Sequence, residues 1–399
     1  MDERWTTRCC GGAAIILVCV ITLLAQSVPP RASDASAGLF PVRKLWTLTL
    51  NNALVVPPTL AGTRGYFAID GDRLAAYDLV EGKLQWIATA ATTSRPAVGD
   101  DLVFIALPDR LTALREGSGE VAWEIPFEHS LAVPLLWDTG WLVAASAVGT
   151  VFALRASDGE LIWRRDVGSK AHAQPAFAAS HLYVPLEDGR VVALRVEDGA
   201  PVWERRLGGA PSEVLALDER LYVGATDNYF YCLRTATGRV DWRWRTGADV
   251  VGKPVVDEER VYFVSLDNVL RALDRNSGAQ RWQQALPLRP IWGPTPVADM
   301  LIVSGLTPTA PAYWMRDGSP AGEIVLTGEL AGVPHVFTSG GLPMMAAVTN
   351  DVSQGAVVTA IGRTLEPPIR PLAPLPNPVQ PPPVPPLAPA PPAPQPPDA

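Results

Sequence analysis

The sequence predicts an all-β fold: an eight-bladed β-propeller of four-stranded antiparallel blades. Three observations predict it. A tryptophan recurs about every 40 residues, a glycine stands four positions before six of the seven, and short apolar runs separated by turns fill the interval. Four short strands in a repeat of this length are typical of a propeller blade, which buries both faces against its neighbours. Helical repeats would show a 3.6-residue period, which the sequence lacks.

The registered residues carry most of the signal. The tryptophans are Trp46, Trp86, Trp123, Trp163, Trp203, Trp242 and Trp282, and the glycines are Gly82, Gly119, Gly159, Gly199, Gly238 and Gly278. Pairs such as Asp158-Gly159 suit a tight turn, because the polar side chain bonds the backbone and glycine accepts positive φ. Fixed spacing fits packing better than carbohydrate stacking, so we interpret both sets as structural. We assign no catalytic, cofactor-binding or metal-binding residue.

A second strand pair precedes each turn and begins at a proline, which suits the first residue of a strand. These prolines are Pro96, Pro134, Pro175, Pro254, Pro294 and Pro334. Five further tryptophans lie outside this spacing, so packing between repeats does not require them and one of them can sit on the rim of a binding site. They are Trp137, Trp141, Trp244, Trp292 and Trp314.

Closure of the ring follows from counting the copies. Gly318 continues the glycine spacing, but Gly322 stands where the seventh copy should have its tryptophan. The stretch 334–361 then supplies three strands, and 43–48, around Trp46, is an isolated fourth strand. We expect this N-terminal strand to complete blade eight, which removes the open sheet edges that invite aggregation.

The amino terminus has the order of an export signal. Arg4 and Arg8 precede an apolar run over 13–25, which is short for a membrane-spanning helix. Cleavage near Ser27 or near Ala37 is possible, and if neither occurs, 11–28 serves as a membrane tether. Both outcomes predict an exported protein, periplasmic or membrane-anchored and facing away from the cytoplasm. Cys19 lies in a poor lipoprotein context.

Three segments follow: 1–37 as signal peptide or anchor plus linker, 38–364 as the propeller, and 365–399 as a proline-rich tail. Seventeen of the 40 prolines lie in that tail, which should populate polyproline II. Two interpretations stay open for it: a stiff, uncharged spacer, which composition alone supports, and a docking ligand for an aromatic groove.

Composition excludes several classes of function. The net charge is −8, which repels polyphosphate and argues against nucleic acid as a partner. Of the four cysteines, Cys9, Cys10 and Cys19 fall in the leader, which leaves Cys232 alone in the body without a disulfide or a metal cluster. The four histidines lack metal-ligand spacing, so each is predicted to lie on the surface or in a loop.

The repeat resembles the pyrroloquinoline-quinone-type (quinoprotein) propeller repeat, as the stretch 270–282, Leu-Arg-Ala-Leu-Asp-Arg-Asn-Ser-Gly-Ala-Gln-Arg-Trp, illustrates. The resemblance covers 43–362 and implies that each tryptophan packs between adjacent blades. It does not fix the function. One branch of this family consists of larger dehydrogenases that hold quinone and calcium in a central funnel and carry a vicinal cysteine pair. Here the adjacent pair, Cys9-Cys10, belongs to the leader.

The other branch consists of compact, non-enzymatic periplasmic proteins that assist outer-membrane protein assembly, and the blade count and short blades agree with it. We therefore expect an exported, monomeric scaffold with a protein partner in the cell envelope and with no cofactor. The resemblance assigns no partner-contacting residue. Two alternatives remain: a quinone-dependent dehydrogenase with calcium, and a small-ligand or glycan sensor that uses the channel or the off-register tryptophans.

Overall fold

The computed structural model describes residues 39–351 and 355–363, and it confirms the predicted all-β, eight-bladed propeller. The described residues form 33 strands in eight antiparallel sheets, seven of four strands and one of five. The leader with its cysteines and possible tether at 11–28, both cleavage sites, and the tail 365–399 lie outside the described residues. Within the described part of the chain, no helix has the length and apolar character to cross a bilayer.

Blades 1 to 7 follow one another along the chain, and each is a meander of four strands numbered from the first to the fourth. Blades 1 and 2 contain β2 (Thr59–Ala61), β3 (Arg64–Ile69), β4 (Arg73–Asp78), β5 (Leu84–Thr89), β6 (Ala97–Gly99), β7 (Leu102–Ala106), β8 (Arg110–Arg115) and β9 (Val121–Pro126). Blades 3 and 4 contain β10 (Leu136–Asp138), β11 (Trp141–Ala145), β12 (Thr150–Arg155), β13 (Leu161–Asp166), β14 (Ala176–Ala178), β15 (His181–Pro185), β16 (Arg190–Arg195) and β17 (Pro201–Arg206).

The next three blades repeat the pattern with somewhat longer first strands in blades 5 and 6. These blades contain β18 (Pro211–Leu217), β19 (Arg220–Ala225), β20 (Tyr229–Arg234), β21 (Val240–Arg245), β22 (Val250–Val256), β23 (Arg260–Ser265), β24 (Val269–Asp274), β25 (Gln280–Ala285), β26 (Thr295–Val297), β27 (Met300–Ile302), β28 (Thr309–Trp314) and β29 (Pro320–Val325).

Blade 8 joins the two ends of the described chain, as predicted. It contains β30 (Glu329–Leu330), β31 (His335–Ser339), β32 (Leu342–Asp351), β33 (Gly355–Arg363) and, as its outermost strand, β1 (Val42–Thr49). Strands β1 and β33 pair antiparallel, with Thr47 opposite Thr359. The two-part first strand, β30 and β31, accounts for the fifth strand of this sheet.

Burial within each blade follows the strand order. The second and third strands are almost wholly buried, as in β7, because they are covered by the neighbouring blades on both faces. The fourth strands alternate between buried and exposed residues, because they form the perimeter. First strands of adjacent blades contact one another, which places them around the central axis. The apolar core is therefore a ring of inter-blade clusters around a central channel.

Candidate functional site

Seven blade junctions share one hydrogen bond. The indole nitrogen of each registered tryptophan donates to a backbone carbonyl in the turn between the third and fourth strands of the next blade. The pairs are Trp46 with Val80, Trp86 with Glu116, Trp123 with Ala156, Trp163 with Val196, Trp203 with Thr235, Trp242 with Arg275, and Trp282 with Met315, at 2.5–3.3 Å. Each bond satisfies a polar group that burial would otherwise leave unpaired.

The repeat glycines lie directly under these rings. A Cβ at Gly199 would stand 2.5 Å from Cε3 of Trp163, and the φ of Gly199 is +66°. Gly82, Gly119, Gly159, Gly238 and Gly278 face the ring of the preceding blade in the same way. Glycine is needed here both for its backbone conformation and for the close approach of the ring. The glycine four residues before a tryptophan therefore serves the tryptophan of the blade before it.

The eighth junction is built differently. Gly322 occupies the tryptophan position in blade 7, and a Cβ there would stand 2.5 Å from Cε1 of Phe40. Phe40 precedes β1 and packs with the fully buried Leu39 in the cluster between blades 7 and 8. The N-terminal approach segment, residues 39–41 just before β1, therefore provides an aromatic ring that fills the space of the missing indole.

A cavity of about 800 Å³ occupies the central channel. Its wall comes from first-strand regions of every blade except blade 6 and is mainly apolar. Trp137 and Trp292, two tryptophans outside the register, lie in this wall. Trp137 stacks on Gly99 of the neighbouring blade, and its indole nitrogen donates to Asp100 at 3.1 Å.

Arg95 is the one arginine or lysine among the lining residues. Its Nη2 donates to Oε1 of Gln174 at 3.3 Å, and Nε2 of Gln174 donates to the carbonyl of Leu135 at 2.8 Å. This chain of bonds links blades 2, 4 and 3 and holds the half-buried guanidinium at the wall. Among the described residues, no carboxylate lies within ion-pair distance of Arg95, and the bond to Gln174 uses one of its five N–H donors.

His335 also lines the cavity and corrects the prediction that each histidine lies on the surface or in a loop. It is the half-buried first residue of β31, and its Nε2 lies 2.8 Å from the carbonyl of Gly62 in blade 1. Nε2 must carry the proton in this contact, because a carbonyl only accepts. Burial lowers the pKa of His335, and the bond to Gly62 offsets part of this effect.

Carboxylate and histidine side chains that could hold a calcium ion are few in this wall. Calcium requires several oxygen ligands, and within the described residues no three His, Cys, Asp or Glu side chains converge to hold a metal ion. Glu213 is the one carboxylate in the cavity wall. Cys232 is buried in a strand of blade 5 and does not line the cavity, and burial raises the pKa of its thiol to about 12.

The sequence singled out Trp137 and Trp292, which line this cavity, as candidates for a binding rim, but the other wall residues were not predicted, although the sequence contains a usable signal for them. Four of them stand directly before a strand-leading proline, namely Arg95, Val133, Gln174 and Val333. The proline lies one or two residues before the first strand, and first strands surround the channel, so the segment that leads into the strand lies at the cavity wall. A search of these positions would have found the one basic side chain of the wall.

A second candidate surface is formed by turns between second and third strands, which all lie at one end of the propeller. In blades 4 and 5 an aspartate caps this turn: Asp188 accepts the backbone N–H of Arg190, and Asp227 that of Tyr229. Blade 3 has Val148 at this position, and its side chain is 75% exposed. Leu306, in the same connection of blade 7, is 62% exposed.

These features define a class: an eight-bladed propeller of quinoprotein type in which tryptophans dock each blade on the next. A family model described as outer membrane protein assembly factor BamB matches residues 41–132, 109–218 and 206–306, which together exceed half of the chain. The chain belongs to this family, as the sequence resemblance predicted. A search of curated proteins finds no match.

Solved structures agree on the fold. BamB from Moraxella catarrhalis is 20% identical, with a TM-score of 0.64, over 80% of this chain and 99% of that one. Quinohemoprotein alcohol dehydrogenase from Comamonas testosteroni is 12% identical, with a TM-score of 0.63, over 82% of this chain and 77% of that one. The computationally designed protein Ika8 is 13% identical, with a TM-score of 0.67. At these identities the likeness shows the fold alone.

Proposed function

We propose that this protein is a non-enzymatic, exported scaffold of the cell envelope that takes part in outer-membrane protein assembly. The observation that carries the proposal is the match of three overlapping segments to the family described as an outer-membrane assembly factor. The size of the propeller supports the proposal, since it matches 99% of the length of BamB from Moraxella catarrhalis but only 77% of the length of the quinohemoprotein alcohol dehydrogenase.

We place the partner surface at the end that carries Val148 and Leu306. An exposed apolar residue at a turn tip costs solubility, and at Val148 it also replaces the capping aspartate found in the next two blades. We interpret Val148 and Leu306 as apolar anchors for a contact with another molecule. Apolar anchors of this kind are typical of protein–protein interfaces.

A substitution can separate function from stability here. In Val148→Asp the new carboxylate can cap its turn as Asp188 does, so the free energy of unfolding should stay unchanged or rise slightly. We expect a strain lacking the chromosomal copy to lose outer-membrane β-barrel proteins, and a double variant, Val148→Asp with Leu306→Asp, to restore them poorly. Leu161→Asp, on the perimeter at 49% exposure, is the matched control and should restore them.

The two outcomes of this experiment differ clearly. Full restoration by the double variant would remove the proposed surface. Unchanged outer-membrane proteins in the deletion strain itself would remove the proposed function.

A quinone-dependent dehydrogenase is the alternative favoured by the fold shared with the quinohemoprotein enzyme and by Arg95 in the cavity. Isothermal titration of the protein with pyrroloquinoline quinone and calcium tests it, and tight stoichiometric binding would favour the enzyme over the scaffold.

A small-ligand or glycan sensor is the alternative favoured by Trp137 and Trp292 in the cavity wall. A thermal-shift screen of sugars and small metabolites tests it, since a bound ligand raises the unfolding temperature.

A further inference from the structure

The wall of the central cavity has the chemistry of a polyproline-binding groove. It combines aromatic rings, Trp137 and Trp292, with prolines that include Pro57, Pro96 and Pro134. Grooves of this kind hold a polyproline II helix by packing prolines against aromatic rings, while side-chain donors bond its carbonyls. Arg95 supplies such donors, since Gln174 accepts from one nitrogen of its guanidinium.

The proline-rich tail has the complementary chemistry. Proline has no backbone N–H, so a proline-rich segment offers carbonyl acceptors and few donors. The tail also has few charges: Glu366, Arg370 and Asp398 are its ionisable side chains over 365–399. A nearly uncharged occupant brings almost no charge of its own into a wall with one arginine and one carboxylate, so little desolvation of its own charged groups opposes its binding.

The strand register brings the start of this segment near the cavity. His335 in the wall lies opposite Ala346, which in turn lies opposite Ala360 in β33. The chain leaves β33 at Arg363, which lies two strands from the wall, about 10 Å across the sheet, and three residues further along the strand, about another 10 Å. Residues 364–399 in a polyproline II conformation can extend on the order of 100 Å, so the reach is ample.

We propose that the tail, within 365–399, binds in the central cavity of its own propeller. Tethering makes the binding intramolecular, so even a weak groove is occupied at the millimolar effective concentration of a short linker. This inference does not depend on the proposed function, since it uses only the wall, the register and the composition of the tail.

Site-specific photocrosslinking in the full chain tests it. A benzophenone amino acid replaces Val333, which lines the cavity and is 45% exposed, or in a second variant Pro57, which guards against misfolding at one position. Leu161, with similar exposure on the perimeter, is the control position. After irradiation, mass spectrometry identifies the crosslinked peptides, and an equal mixture of ¹⁴N- and ¹⁵N-labelled chains distinguishes crosslinks within a chain from crosslinks between chains.

We expect tail peptides crosslinked within one chain at both cavity positions, at about tenfold higher yield than at Leu161, because tethering raises the local concentration. Arg95→Ala should lower that yield. Three results would overturn the proposal: no tail peptide at either cavity position, equal yields at the cavity and the perimeter, or mixed-isotope crosslinks, which would place the tail in a second copy.

Discussion

Seven junctions of this propeller are closed by a tryptophan, and the eighth is closed by Phe40. At each of the seven, one continuous stretch of chain forms the third strand, the turn and the fourth strand of the next blade. That turn provides both a carbonyl for the indole and a glycine beneath its ring, as Val196 and Gly199 do for Trp163. Blade 8 has no such turn, because its third strand, β33, and its fourth strand, β1, come from distant parts of the chain.

The comparison explains why the seventh copy carries Gly322 instead of tryptophan. With no turn to receive it, an indole at this position would lack its carbonyl partner, and its ring would overlap Phe40. The N-terminal approach segment, which already has to reach β1, provides the aromatic ring instead. Glycine in place of tryptophan at position 322 thus fits the way in which the ring closes.

The largest expected effect is at a tryptophan junction. Trp163→Ala removes a side chain that is 8% exposed together with its bond to Val196, and we expect a loss of about 3–5 kcal/mol in the free energy of unfolding. Trp163→Phe keeps part of the ring and should lose less. Denaturant unfolding followed by far-UV circular dichroism measures both variants. Equal losses in the two would contradict a role for ring packing.

The eighth junction should respond less strongly. Phe40 is half-buried, so Phe40→Ala should cost about 2–3 kcal/mol, and Phe40→Leu distinctly less, because leucine fills most of the space. The same unfolding measurement applies. An unchanged stability in Phe40→Ala would show that Phe40 does not take the place of the missing indole at the eighth junction.

The glycine beneath the ring gives a sharper test of the shared geometry. Gly199→Ala adds a Cβ against Trp163 at positive φ and should cost roughly 1–3 kcal/mol. Gly140→Ala is the matched control, since Gly140 also has a positive φ, +81°, but nothing lies within 4 Å of its added Cβ. In the Trp163→Ala background the cost of Gly199→Ala should fall, because the clashing ring is gone. Additive costs would show that backbone strain alone explains the effect.

The smallest effect concerns pH at the junction of blades 8 and 1. The pKa of His335 is lowered in the folded state, so the unfolded chain binds more protons near the ordinary value of 6.5. The stability is therefore present above that value and lost as the pH falls through the folded pKa. We expect His335→Gln, which keeps a donor for Gly62, to flatten this loss in unfolding curves measured between neutral and mildly acidic pH. An unchanged pH dependence would show that the lowered pKa of His335 does not cause this loss of stability.

The sequence predicted the fold because the tryptophan and glycine spacing, the turn residues and the isolated strand around Trp46 all agree on one architecture. It did not show which ring each glycine faces, because the contact crosses from one repeat to the next. The role of Phe40 was missed because it lies outside the repeat pattern. Arg95 and Gln174 were missed for a related reason: they come from different blades and meet only when the ring closes.

The most direct test of the proposed function is to place the photocrosslinking amino acid at Val148 and irradiate intact cells that express the full chain. Leu161 on the perimeter again serves as the control position. We expect the crosslinker at Val148 to capture a component of the outer-membrane β-barrel assembly machinery and the crosslinker at Leu161 to capture none. Capture of no such component at Val148, with the protein folded and present in the envelope, would contradict it.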